Sequence, residues 1–179
     1  MTHDPELSTR SNSSAQRPRI AVAVAGAAFG VLLTATAGCT ANPAGDDLTV
    51  RQAQVADAGS QVMPFDLNRT THVFAELPDG GRQTVTADTP QDVEQIALIR
   101  QHLQNEAEKF RRADFGDPAT IHGDDMPGLA ELRASAGRID VTYDELVNGA
   151  QLTYRTSEPA LTTALHNWFA AQTSDHGGH

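Results

Sequence analysis

The stretch Phe74–Pro90, FAELPDGGRQTVTADTP, returns sixty-nine positions later, without a gap, as Tyr143–Pro159, YDELVNGAQLTYRTSEP. Glu76/Glu145, Leu77/Leu146, Gly80/Gly149, Thr84/Thr153 and Pro90/Pro159 are identical, and Phe74/Tyr143, Asp79/Asn148 and Val85/Tyr154 are alike. Each copy reads as strand, tight turn, strand, and a proline that opens an amphipathic helix. Two apolar helix stripes must cover something, and the natural partner is one face of a sheet. The expectation is an α+β fold: a tandem ββα-ββα duplication with a four-stranded antiparallel sheet packed by two helices, plus an insert of loop and short helix.

The first unit places strands at Thr70–Glu76 and Arg82–Ala87, joined through Pro78-Asp79-Gly80-Gly81, where glycine supplies the positive φ of a hairpin turn. Thr89-Pro90 reads as an N-cap and first helical position, with Asp92 in the first turn. Val93, Ile96, Ile99, Leu103, Ala107 and Phe110 then mark one face of a helix running to about Arg112. In the second unit Ile139, Val141 and Tyr143 alternate with Asp140, Thr142 and Asp144, a half-buried strand. Asn148-Gly149 is a strong hairpin signal. Ser157-Glu158-Pro159 opens a helix whose stripe is Leu161, Ala164, Leu165, Trp168 and Phe169. Between the units, the Gly-, Pro- and Asp-rich first half of Ala113–Gly137 reads as loop. Pro127–Ala136 reads as a short helix with Leu129 and Leu132 inward.

The N-terminus stands apart. Arg10, Arg17 and Arg19 precede an uncharged run, Ile20–Ala37, that ends in small residues before Gly38-Cys39, the pattern of a secretory signal over 1–38. Cys39 is the only cysteine, so the chain has no internal disulfide. Its position resembles the lipobox of bacterial lipoproteins, in which the cysteine is lipidated and becomes the first mature residue; Thr36 stands where that motif has an aliphatic residue. Ala35-Thr36-Ala37 also suits ordinary signal peptidase, which would leave a soluble secreted form, and an uncleaved membrane anchor is the third alternative. Polar residues 39–61 read as a flexible tether, and 62–179 as one duplicated domain with a mobile C-terminal tail.

Residues 1–38 hold three of the thirteen basic residues and two of the twenty-three acidic ones, so the remainder carries ten bases against twenty-one acids. That balance repels nucleic acid and anionic lipid, because a phosphate binder needs a basic stripe. Membrane attachment must therefore come from acyl chains on Cys39.

Seven histidines beside a single lysine direct attention to metals. The sharpest candidate is Ile121–Gly128, IHGDDMPG, which sets the imidazole of His122, the carboxylate of Asp125 and the thioether of Met126 within five residues. Imidazole with thioether is a soft set that suits copper, whereas carboxylates suit harder ions. His102 and Glu106, four apart on one helix, would complete the set, and His176 and His179 in the tail would be accessory donors. The competing reading is architectural: Asp side chains capping the next helix, His102 and Glu106 on a solvated helix edge, and His72 a core histidine at the position equivalent to Val141. His166 reads as plain surface. GxSxG, a P-loop, HExxH and GxGxxG are absent, and Cys39 is expected to carry lipid, so no catalytic residue is assigned.

The phrases QIALIRQHL, IHGDDMPGLAEL and ALHNWFAAQTSDHG, within about Val62–Gly177, resemble a family of short actinobacterial secreted proteins often labelled aspartate carbamoyltransferase. An enzyme of that name implies two α/β domains, a Ser-Thr-Arg-Thr loop and a His-Pro-x-Gln segment. Here only Ser8-Thr9-Arg10-Ser11 approaches the loop, inside the signal, and no His-Pro occurs. The expectation is thus a non-enzymatic, extracytoplasmic lipoprotein that binds copper through His122 and Met126. The alternative is a partner-binding or structural envelope module using Phe115–Gly128, and an enzyme of unrecognised type ranks last.

Overall fold

The computed structural model describes residues 43–176. The expected signal over 1–38, the expected lipidation site Cys39 and the accessory donor His179 lie outside them. In chain order the elements are α1 (Pro43–Val62), a 3₁₀ turn (Leu67–Arg69), β1 (Thr70–Leu77), β2 (Gly80–Ala87), α2 (Val93–Arg111), α3 (Gly116–His122), α4 (Leu129–Arg133), β3 (Asp140–Leu146), β4 (Gly149–Arg155) and α5 (Pro159–His176). The four strands form one antiparallel sheet in the order β1-β2-β4-β3. The α+β architecture is therefore as the duplication requires.

The register gives the duplication a geometric meaning. At the centre of the sheet Gln83 on β2 faces Leu152 on β4, its own counterpart sixty-nine positions on, and the pairs on either side exchange equivalent residues. The two units thus meet across a local pseudo-twofold. Their helices are exchanged: α2 packs mainly across β3 and β4, whereas α5 packs across β1 and β2. Two side chains fasten that exchange. Arg100 of α2 donates to the carbonyls of Leu146 (2.6 Å) and Gly149 (3.3 Å) at the second hairpin. His166 of α5 donates from Nε2 toward Leu77 O (3.0 Å) and Gly80 O (2.9 Å), the equivalent carbonyls of the first. Glu145 lies 3.4 Å from Arg100, and Glu76 lies 3.6 Å from His166. Most of the identical residues of the repeat are those that build these two junctions. His166, expected at the plain surface, is a fastening residue.

The inner sheet face buries Val85, Ala87, Val141, Ala150, Leu152 and Tyr154 under Ile96, Ile99, Leu103, Leu161, Leu165, Trp168 and Phe169. Gly81 is required there, since a Cβ at this position would stand 2.2 Å from the Phe169 ring.

Three expectations are corrected. Residues 43–62 are not a flexible tether but helix α1, which buries Val55 and packs on α3 and α5. The first half of the insert is not loop but largely α3, because Phe115, Pro118, Ile121 and His122 find burial at helical spacing. Helix α2 starts later than Thr89-Pro90: its N-cap is Asp92, whose carboxylate accepts from Gln95 N and pairs with Arg69. Thr89 and Pro90 belong to the preceding turn, in which Asp92 N donates to Thr89 O at 3.0 Å.

Candidate functional site

Helices α2, α3 and α5 leave one polar gap over the β1 side of the sheet, a cavity of about 30 Å³. Alternation along β1 turns His72 and Phe74 into it, with Gln83 beside them on β2. From α2 come His102, Glu106 and Phe110, one turn apart; from α3, Asp117 and His122; from α5, Trp168, Gln172 and His176. Met63, just past α1, completes the wall. Four imidazoles from four separate elements therefore line a space the size of one water molecule.

The rings form a connected set. His72 and His176 stack with centroids 5.5 Å apart and planes 7° from parallel. His176 meets His122 edge-on at 5.1 Å. Phe65 lies between His72 (5.7 Å) and His102 (5.5 Å). Burial, reinforced by the other histidines, lowers His72 to about 3. Burial likewise lowers His102 to about 4. Both rings are neutral at physiological pH, with a lone pair each.

His122 is the most strongly positioned of the four. Its side chain is 1% exposed, and Nδ1 lies 2.8 Å from Asp175 Oδ2. Arg51 of α1 donates to both Asp175 oxygens (3.1 and 2.7 Å) and to His122 O (2.6 Å). Burial opposes ionisation of Asp175, but the Arg51 and His122 hydrogen bonds outweigh it and hold the carboxyl below its usual range. An ionised Asp175 makes Nδ1 the donor of a neutral ring, since burial also lowers His122. The lone pair is then on Nε2, the arrangement in which a carboxylate orients an imidazole toward a metal.

Across the cavity, burial pushes the Glu106 carboxyl up to about 7, against a Lys109 hydrogen bond that lowers it. Lys109 Nζ reaches Glu106 at 2.9 Å and Asp117 at 2.6 Å. Among the described residues the Trp168 indole N–H is the buried side-chain polar group with no hydrogen-bond partner.

Neither a family model, nor a curated protein, nor a solved structure matches this chain. The fold and the site therefore stand on their own geometry.

The structure unites some sequence candidates and separates others. His102, Glu106, His122 and His176 share the cavity. Met126 does not: it is buried in the apolar core, because α3 ends before it and sends it inward with Leu129 and Leu132. Asp125 is exposed on the turn. His176 is not part of a mobile tail but closes α5 against His72. His72, Met63, Asp117, Gln172 and Asp175 were missed as site residues. Of these His72 carried a signal, the inward position at which the other unit has Val141; Met63, Asp117, Gln172 and Asp175 are brought there by the packing of α1, α3 and α5. In the Phe115–Gly128 stretch Phe115, Ile121, His122 and Met126 are buried, whereas Thr120, Asp124, Asp125 and Pro127 are exposed. Among the described residues no group of three or more His, Cys, Asp or Glu side chains is already arranged as a metal site, and no helix is long and apolar enough to cross a membrane.

Proposed function

We propose that this chain is an extracytoplasmic, lipid-anchored, non-enzymatic domain that binds one transition-metal ion, copper foremost, in the cavity beneath α2, α3 and α5. The observation that carries the reading is the convergence of four imidazoles, from four separate elements, on a space fit for a single ion. His72, His122 and His176 are the proposed ligands, with Met63, His102 and Glu106 also lining the cavity. Imidazole with thioether is the donor chemistry that favours copper over hard cations. The stacked rings of His72 and His176 have to turn about χ2 to converge, so binding is coupled to a small local rearrangement.

Glu106, with its proton held near neutrality in a cavity, favours a second reading as a general acid or base. The volume argues against it. About 30 Å³ admits water or an ion, whereas sites for organic ligands run to hundreds of Å³. The anchoring part rests on Cys39 in the sequence, and a Cys39→Ser variant still recovered with membranes would remove it.

The test of binding is a thermal melt of the purified domain with and without copper. A hundredfold excess over Kd adds about 2.7 kcal/mol, roughly 10 °C in midpoint for a domain of this size. His122→Ala should abolish the gain. An unchanged midpoint at saturating copper would end the metal reading.

A further inference from the structure

Resting on that reading of the cavity, we infer that the groove between α1 and β1 is its loading port, with the His72–His176 stack as the gate. The groove holds about 270 Å³ and is bordered by Gln52 and Ala56 of α1, by Asn68 and Thr70, and by His72, Asp175 and His176. His72 and His176 also line the inner cavity, so the two rings are the wall that both spaces share. A cation reaching the groove meets the Asp175 carboxylate at its margin and the imidazoles of His72 and His176 at its floor. His176 is the last residue of α5, the end of a helix at which turns open most readily. Its ring lies within contact of both His72, on the groove side, and His122, deeper in (5.5 and 5.1 Å between centroids). One imidazole therefore spans the step from port to cavity, and a rotation of that ring passes an ion from outer to inner partners. The neighbouring groove along Ser60, Pro64 and Glu94 is the competing route, but it shares only Met63 with the cavity and lies behind Phe65.

A port governs both directions of travel without altering the end state. Trp168 is the only tryptophan and sits in the cavity wall, so its fluorescence reports arrival of copper(II). Stopped-flow mixing of the full chain with copper(II) chloride, and then with a chelator, gives uptake and release rates. Gln52→Phe, which fills the groove from α1, should slow both by about tenfold and leave Kd within about twofold. Gln52→Ala removes the same amide without filling the groove and should keep wild-type rates, as should Ser60→Phe in the competing groove. Should Gln52→Phe disturb the fold, Asn68→Phe narrows the groove from the opposite wall; because Asn68 borders the competing groove too, its slowing supports the port only where Ser60→Phe keeps wild-type rates. Wild-type rates in both blocked variants, or slowing by Ser60→Phe alone, would overturn the port. Absence of any copper effect on the wild-type chain, in fluorescence or in melting, would instead sink the metal reading itself.

Discussion

Glu106 and the cavity histidines pull the pH dependence of stability in opposite directions. Glu106 is an acid raised from 4.5 to about 7 by folding, so the folded state holds its proton longer, and stability is lost as pH rises through that window. His72 and His102 are lowered from 6.5 to about 3 and about 4, so the unfolded state takes up protons first, and stability is lost as pH falls below 6.5. Metal-free protein should be most stable near neutrality. Glu106→Gln removes the alkaline-side loss and should raise stability at pH 8 by up to about 3 kcal/mol, read by melts from pH 5 to 8. A variant with the wild-type profile above pH 6 would show that Glu106 does not titrate there. At this scale the sequence made the chemistry visible but not the company. His122 was found from its neighbours Asp125 and Met126, yet its partners Asp175 and Arg51 lie far along the chain. Helix α3 ends at His122 and the chain turns at Gly123 before Met126, which is why Met126 entered the core while His122 entered the cavity.

Among the elements, strands, hairpins and the two long helices were legible because burial imposes periods of two and 3.6 on them. Helix α1 was not, since a mostly polar segment with a single buried valine carries almost no periodic signal. Nor was α3, whose glycine and proline read as loop although Pro118 sits in the first turn of a helix, where proline is tolerated. The contact of α4 with α5 is close enough to test separately. Gly128 has φ +81°, and a Cβ there would stand 2.1 Å from Ala164 O, so Gly128→Ala combines backbone strain with collision. Gly137 has φ +73° and open space around it. In urea denaturation Gly137→Ala should cost about 1 kcal/mol and Gly128→Ala roughly 3 kcal/mol or more. Equal losses would mean that α4 can draw back from α5 freely.

Over the whole molecule, one ββα unit lends its helix to the other's hairpin, and only one side of the resulting pseudo-twofold carries the polar cavity. His72 stands where the second unit has Val141, and His102 where it has Ala171, so the unit opposite filled the equivalent space with hydrocarbon. The repeat announced two units but not the exchange, because identical pairings arise whichever hairpin a helix covers. Separately produced chains ending and beginning at the exposed Asp124-Asp125 turn should each lack cooperative unfolding and should fold when mixed, followed by circular dichroism. Independent folding of either piece would contradict the exchange. Arg100 and His166, each reaching across to the other unit's turn, act as a pair of crossed buckles. A protease that nicks the connector once would therefore release nothing: both pieces stay laced together, and the damage would show on a denaturing gel long before it showed in solution.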